Sequence, residues 1–268
     1  MTRDFTTDVL ICGAGAAGLT LAIDLARRGV SFRLIEKMGD AFRGSRGKGL
    51  QPRTLEIFED LGIVDRIVAA GEPYPPQREY TEGGTFTEAA IGETEEPRTD
   101  EPYRTPLMIP QFLTEGVMRD RLAEFGHRVQ FGCELVGFEQ DDESVTARVA
   151  GKSGDQVVRA RYLVGADGGR SFVRQALGID FPGKTLGIRA VVADVVLTGL
   201  DRDVWHRFNE GDMQRQIGIC PLAGTELFQI QGPIPLEGDV DLSAEGLSAL
   251  VSERTGRDIH VQSVSWAS

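Results

Sequence analysis

A glycine-rich segment near the start of the chain has the residue types that bind a diphosphate. Gly13, Gly15 and Gly18 form the pattern Gly-x-Gly-x-x-Gly, with Ala16 and Ala17 between the second and third glycines. In this pattern the first glycine permits a tight turn, the second lets the backbone approach the diphosphate, and the third allows close helix–strand packing. The amino end of the helix adds free N–H groups and a positive dipole end. The alternative is a small-residue turn that only packs the helix.

The flanking residues predict the elements that would position this segment. Residues 9–12 are all apolar, as in a parallel strand that is covered on both faces. Residues 19–26 carry apolar side chains at helical spacing, Gly29 is a suitable C-terminal stop, and residues 32–35 predict a second strand. Strand, glycine turn, helix and strand make one βαβ unit. The predicted fold class is α/β, with a Rossmann-like domain that binds FAD or NAD(P).

An acidic residue follows the second strand, where the ribose of a dinucleotide would lie. Glu36 comes eighteen residues after Gly18, and its carboxylate can accept hydrogen bonds from both ribose hydroxyls. Lys37 follows it directly and is grouped with the cofactor-binding residues. Because a carboxylate here would repel a 2′-phosphate, the pocket is predicted to hold NAD or FAD and to exclude NADPH.

Two further segments could contact the rest of such a cofactor. Residues 45–50 place Arg46, Gly47 and Lys48 in a flexible loop, which in an acidic protein could form a local clamp for an anion. The alternative is a solvated basic loop. Gln111 precedes a predicted helix and could hydrogen-bond a polyol through its amide, or could be an ordinary residue at a helix start.

A second strand leads into a glycine turn later in the chain. Residues 162–166 predict a buried strand that delivers Asp167 into the turn before a short helix. A carboxylate there cannot attract phosphate by its charge, but it can accept hydrogen bonds from hydroxyls. Asp167 or Ser171 could instead cap the helix over residues 172–177.

The composition narrows the classes of partner. The formal net charge of −12 makes nucleic acid and anionic membranes unfavourable partners. The three cysteines form no Cys-x-x-Cys pair and the three histidines are scattered, so no metal site is expected. With no apolar run of membrane-spanning length and no signal-peptide core, the chain is expected to be cytoplasmic. Association as a homodimer is left open.

Four motifs in this order resemble the class A flavoprotein monooxygenases. This is the aromatic-hydroxylase family of the para-hydroxybenzoate, phenol and polyketide hydroxylases. The motifs are GAGAAG with the following Glu36, SRGKGLQPRTLEIFEDLGI, PQFLTE and YLVGADGGRSFVR, and they lie within residues 8–174. Residues 175–268 resemble the start of the family's substrate domain only loosely.

The resemblance implies a three-layer FAD-binding domain of the glutathione-reductase type, into which an antiparallel-sheet substrate domain is inserted. The predicted FAD-binding domain is residues 1–73 plus 107–182, and the predicted substrate domain is residues 74–106 plus 183–268. Family members carry a further flavin motif, a strand ending in Gly-Asp followed by Ala-Ala-His, which this sequence does not contain. We therefore expect a truncated or partial family member, without the segment that contacts the ribityl chain and isoalloxazine.

The resemblance also implies roles for the residues that match the family's motifs. Those assigned to the ADP half of FAD are Gly13, Gly15, Gly18 and Glu36. Arg46 and Gln111 match positions at the ribityl and diphosphate region, and Asp167 matches the acid of the family's Asp-Gly motif. No residue is nominated as catalytic, and no metal is needed.

The implied reaction is hydride transfer from NADPH or NADH to FAD and capture of O₂ as a C4a-hydroperoxyflavin, followed by hydroxylation of an aromatic, phenolic or polyketide substrate. Such chemistry needs a pocket that excludes water. One alternative is a non-catalytic FAD-binding remnant of such an enzyme. Another is a flavin halogenase or reductase, although the Trp-x-Trp-x-Ile-Pro segment of the halogenases is missing and Trp205 and Trp266 are far apart in the sequence.

Overall fold

The structure is a computed structural model that describes residues 6–81, 83–92, 96–152, 154–184 and 187–268. The strands are β1 (Thr7–Cys12), β2 (Phe32–Glu36), β3 (Gly49–Leu50), β4 (Glu72–Pro73), β5 (Gln77–Tyr80), β6 (Phe86–Ala89), β7 (Leu107–Met108), β8 (Gln130–Phe131), β9 (Cys133–Gln140), β10 (Val145–Gly151), β11 (Gln156–Gly165), β12 (Arg189–Thr198), β13 (Trp205–Phe208), β14 (Ile217–Pro221), β15 (Phe228–Ile234) and β16 (His260–Ala267). The helices are α1 (Ala16–Arg27), α2 (Pro52–Asp60), α3 (Val64–Ala70), α4 (Gln111–Glu124), α5 (Phe172–Ala176) and α6 (Ala244–Thr255).

The chain divides into two compact units, the first formed by the described residues of Met1–Phe42 and Thr114–Gly183. Its sheet has the strand order β8-β2-β1-β11-β10-β9. The strands β8, β2, β1 and β11 are parallel, whereas β10 and β9 continue the sheet as an antiparallel ribbon. Cys12 pairs with Ile35 on one side and Gly165 on the other, so the carboxyl ends of β2, β1 and β11 lie at one edge of the sheet.

The predicted βαβ unit is confirmed, and its packing explains why these residues form it. Leu10 and Ile11 on the central strand are fully buried, as expected for a strand covered on both faces. Helix α1 buries a stripe of Gly18, Leu19 and Ala22 at helical spacing, together with Ile23. The strand and the helix are therefore each fixed by buried apolar side chains on either side of the turn.

Two of the glycines in the turn after β1 are required by the protein's own backbone. Gly13 has φ +102°, and a Cβ there would lie 2.2 Å from the carbonyl oxygen of Ala166. A Cβ on Gly18 would lie 1.9 Å from the carbonyl oxygen of Gly13. Backbone hydrogen bonds of 2.8 Å from Gly13 N–H to Ile35 and of 2.7 Å from Ala166 N–H to Cys12 close the arrangement.

The second unit comprises the described residues of Arg43–Leu113 and Lys184–Ser268. Its main sheet has the order β16-β12-β15-β14-β13-β5-β6, and a smaller sheet has the order β3-β7-β4. Helix α6 packs Leu247 and Val251 into the core formed by one face of the main sheet. Strands β5 and β6 pair antiparallel, with Tyr80 opposite Phe86.

Several sequence-based expectations differ from the structure. The strand predicted as buried over residues 162–166 is the end of the longer β11, and Tyr162 is 67% exposed, so the expectation of burial is wrong there. Alternation along a strand decides which face a side chain takes, but not whether that face is covered. Strand β13 was not predicted from the sequence. Residues 43–73 and 107–113, which the sequence assigned to the FAD-binding domain, pack in the second unit. Which residues bind FAD and which bind the substrate stays a prediction. Among the described residues, no helix combines the length and apolar character needed to cross a bilayer.

We expect Gly13→Ala to lower the free energy of unfolding by about 1–3 kcal/mol or more, because it combines a strained positive φ with a backbone clash. Urea unfolding followed by circular dichroism measures the loss. Gly169→Ala in the same unit is the matched control, since among the described residues nothing lies within 4 Å of its Cβ position. Equal stability of the two variants would contradict the close approach of Gly13 to Ala166.

Candidate functional site

The candidate site lies at the edge of the first unit's sheet where β2, β1 and β11 end. These strands deliver Glu36, the turn of Gly13 and Asp167 to neighbouring positions. Ala14 N–H donates a 3.0 Å hydrogen bond to Glu36 Oε2, which joins the turn to the end of the second strand. Carboxyl ends of parallel strands are where open α/β sheets bind ligands.

The start of helix α1 faces this edge with unused donors. The helix begins at Ala16, after an N-cap residue, Gly15, that has no side chain to accept its N–H groups. The first N–H groups of a helix have no acceptor within the helix. Ala16 and Ala17 are exposed, so nothing on their side chains hinders the approach of an anion. This arrangement can hold a phosphate by backbone hydrogen bonds and the helix dipole.

Gly15 differs from the other two glycines of the turn. Its φ of −74° and ψ of −176° are open to any residue. Among the described residues, a Cβ at Gly15 would meet within 4 Å only Glu115 Oε1, at an ordinary contact distance of 3.8 Å. The fold therefore does not itself require glycine here, and the missing side chain leaves room for a group from outside.

The carboxylate of Glu36 is held in a defined orientation. Its Oε2 accepts from Ala14 N–H and its Oε1 accepts from Met38 N–H, each at 3.0 Å. An ionised carboxylate has about four lone-pair sites, so both oxygens can accept further hydrogen bonds. The adjacent Lys37 is exposed. Glu36 is thus able to receive hydroxyl donors beside the glycine turn.

Asp167 both caps a helix and keeps an unused oxygen. Its Oδ2 accepts from Val173 N–H at 3.1 Å, while Ser171 Oγ accepts from Arg174 N–H at 3.0 Å. Both residues suggested as caps from the sequence therefore do cap α5. Within the described part of the chain, Asp167 Oδ1 is buried without a hydrogen-bond partner. Because buried polar atoms are almost always paired, this oxygen is available to a donor from a ligand.

Cys12 lies beneath the site without chemistry of its own. Burial, with an added contribution from the negative charge of Asp167, raises the pKa of its thiol to about 12. The thiol is therefore protonated and unreactive at neutral pH, as expected for a buried structural cysteine.

The remaining predicted residues lie together in the second unit. Gln111 N–H donates to the carbonyl oxygen of Gly47 at 3.0 Å, which joins the two segments singled out in the sequence. Arg46 is exposed, and its Cζ lies 5.8 Å from the ring centroid of Trp266. The structure thus gathers the predicted residues into two sets, one in each unit: Gly13, Gly15, Ala16, Ala17, Gly18, Glu36, Lys37 and Asp167 in the first, and Arg46, Gly47 and Gln111 in the second.

Glu115 is a residue of this region that the sequence reasoning missed. It lies on α4, it is 2% exposed, and its Oε2 is 3.9 Å from Arg119 Nη1. Its position beside Gly15 makes it the side chain that faces the open space at the turn. The sequence contains one indication of Glu115: it is an acid within the PQFLTE motif, near the start of a predicted helix.

Comparison with known proteins identifies a family for the chain. A family model described as an FAD binding domain matches residues 6–268. A flavin-dependent monooxygenase of Mycobacteroides abscessus is 39% identical over 267 residues, which cover 97% of this chain and 56% of the relative. The rifampicin monooxygenase of Streptomyces venezuelae is 31% identical over 267 residues, which cover 97% of this chain and 53% of the relative.

A solved structure is similar over nearly the whole chain. The flavin-dependent monooxygenase PieE, crystallised with FAD and substrate, matches with a TM-score of 0.81 at 28% identity, covering 98% of this chain and 49% of PieE. The fold and the glycine turn define an FAD-binding α/β protein. The chain belongs to the FAD binding domain family, within the class A flavoprotein monooxygenases. It spans about half the length of the curated relatives that it matches.

We expect Gly15→Val to abolish FAD binding while leaving the fold near native. The valine side chain would fill the space beside the first N–H groups of α1, and among the described residues its Cβ would meet only Glu115 Oε1, at an ordinary 3.8 Å. Flavin content after reconstitution and far-UV circular dichroism measure the two effects. A folded variant that retains FAD would show that the diphosphate does not approach this turn.

Proposed function

We propose that the chain binds FAD and forms the flavin-binding part of a monooxygenase that hydroxylates an aromatic or polyketide substrate. The observation that carries the proposal is the contrast within the glycine turn. Gly13 and Gly18 are required by the protein's own packing, whereas Gly15 is not and leaves space at a helix start rich in free donors. A turn that served packing alone would need only the first and the third glycine.

In the first unit the proposed contacts follow from the chemistry of each group. The free N–H groups of Ala16, Ala17 and Gly18 donate to the diphosphate, with Gly15 allowing the approach. Glu36 accepts from the hydroxyls of the adenosine ribose. Asp167 Oδ1 accepts from a hydroxyl of the cofactor, which would pair a buried oxygen that otherwise has no partner among the described residues.

In the second unit the proposed FAD contacts of Arg46, Gly47 and Gln111 rest on the family resemblance. The hydrogen bond between Gln111 N–H and Gly47 supports treating them as one structural group. An exposed guanidinium in a chain of net charge −12 is suited to an anionic group such as a diphosphate. Lys37, which is also exposed, is proposed as a further contact on the same charge argument.

The proposed reaction consumes NADPH or NADH, a proton, O₂ and an aromatic substrate, and it yields the oxidised nucleotide, water and the hydroxylated product. When bound, FAD supplies the redox chemistry and the activation of O₂, while the protein binds, orients and shields the reactants. The chemistry named for the relatives supports an aromatic or polyketide substrate. The pyridine nucleotide and the homodimer are proposed from the resemblance alone.

The direct test is reconstitution of the purified chain with FAD, followed by assays of NADPH and NADH consumption with phenolic and polyketide substrates. Substrate-stimulated consumption, with an oxygen atom from isotopically labelled O₂ in the product, is the expected result for the hydroxylase. FAD binding without any turnover would retain the binding function and contradict catalysis by this chain. Failure to bind FAD would overturn the proposal as a whole.

We expect Glu36→Arg to weaken FAD binding by about 1–3 kcal/mol, because a charged acceptor of ribose hydrogen bonds is lost. Glu36→Gln removes the charge but keeps one carbonyl oxygen, which can accept from Ala14 N–H or from Met38 N–H, and it should weaken binding less. Fluorescence titration with FAD gives both affinities. Glu139→Arg makes the same charge change at an exposed position of the same unit and serves as the control. If Glu36→Arg and Glu139→Arg bound FAD equally well, Glu36 would have no contact with the ribose.

A further inference from the structure

A cluster of buried polar side chains in the second unit is not used by the site described above. Ser45, Asp194 and Gln229 are fully buried, and Lys48 is 8% exposed. Asp194 and Gln229 are paired residues on the neighbouring strands β12 and β15. They point away from the face that packs against α6, because their neighbours Val195, Phe228 and Ile230 fill that core.

The Gln229 amide joins the loop of residues 45–48 to the sheet. Its Oε1 accepts from Lys48 Nζ at 2.9 Å, and its Nε2 donates to the carbonyl oxygen of Ser45. The same Nε2 lies 3.2 Å from Asp194 Oδ1, which orients the amide. One side chain from the sheet therefore holds both ends of a four-residue loop.

The backbone holds the same loop from its other side. Ile109 N–H donates to the carbonyl oxygen of Lys48, and Gln111 N–H donates to that of Gly47, each at 3.0 Å. Between these attachments the loop exposes Gly47 and Arg46, and Arg46 matches a position that contacts the flavin's ribityl and diphosphate region in the family. The cluster therefore immobilises the exposed part of the loop, residues 46 and 47, which carries the positive charge of Arg46.

The charges in the cluster carry a desolvation cost that stability alone does not explain. Burial raises the pKa of the Asp194 carboxyl and lowers the pKa of the Lys48 ammonium. The Lys48 ammonium lies 4.3 Å from the ring centroid of Trp205. Within the described residues, Asp194 Oδ2 and Ser45 Oγ complete no hydrogen bond of normal geometry. Apolar residues would stabilise a core at least as well, whereas polar groups fix one geometry.

We propose that Gln229, oriented by Asp194, is a positioning residue that holds the loop of residues 45–48 so that Arg46 is ordered before FAD binds. The inference rests on the proposed function, because it assigns Arg46 to the cofactor. We call the Gln229 side chain with its two hydrogen bonds to the loop the anchor. Without it, the loop would have to become ordered when FAD binds, and the entropic cost of that ordering would weaken the binding of FAD.

The test compares variants that remove or keep the anchor. Gln229→Leu removes both hydrogen bonds to the loop, Asp194→Val removes the group that orients the amide, and Asp194→Asn keeps an acceptor there. Val195→Ala is the matched control, since it weakens the opposite face of the same strand without touching the cluster. Each protein is titrated with FAD, and the visible spectrum of the bound flavin is recorded.

We expect Gln229→Leu to raise the Kd for FAD by about tenfold or more and to shift the flavin spectrum. Asp194→Val should have a smaller effect in the same direction, and Asp194→Asn should restore wild-type behaviour. Val195→Ala should lose stability while its affinity and spectrum stay unchanged. Wild-type affinity and spectrum in Gln229→Leu would overturn the inference, and so would an equal change in Val195→Ala.

Hydrogen exchange in the flavin-free chain provides a second, independent measurement. The amides of Ile109 and Gln111 donate to the loop, so their exchange should accelerate in Gln229→Leu and stay at the wild-type rate in Asp194→Asn. If the wild-type chain bound no FAD, the proposed function would fail, but this measurement would still show whether Gln229 holds the loop in place. Unchanged exchange at both amides in Gln229→Leu would overturn it.

Discussion

The rest of the candidate site depends on the close contact between Gly13 and the backbone carbonyl of Ala166. A Cβ at Gly13 would lie 2.2 Å from that oxygen, so only glycine lets β1 and β11 end side by side at this spacing. From the shared edge follow the position of Asp167, the hydrogen bond from Ala14 to Glu36 and the direction in which α1 presents its free N–H groups. The geometry of the candidate site is therefore determined by the register of the strands, and the side chains take their positions from it.

In the second unit, the main structural feature of the candidate residues is a loop that is held in place. There the segment with Arg46 is attached to the sheet through one amide side chain and to residues 109–111 through their backbone. The first unit presents the amino end of α1 without a side-chain cap, and the second presents a charged side chain whose support is buried and polar.

The sequence was informative wherever function depends on local spacing. The glycine turn, helix α1 and Glu36 lie within one short segment, and their relation is set by the geometry of a βαβ unit. The partners of Lys48 could not be found in this way, since Gln229 lies 181 residues further along the chain. Tyr162 shows a second limit: its apolar neighbours in sequence predict a strand correctly, yet cannot say whether anything covers that face. Glu115 was missed because an acid in an amphipathic helix is usually at the surface.

Strand β11 pairs with β1 across most of the unit's length, from Thr7 opposite Ala160 to Cys12 opposite Gly165. On a translating ribosome, the turn after β1 therefore emerges early but has no neighbour on one side until most of the first unit has been synthesised. Closing so long a loop is slow, because the entropy is lost before the contacts form. The nascent chain consequently completes the packing around this turn late, after the antiparallel ribbon of β9 and β10 has had time to assemble from neighbouring residues.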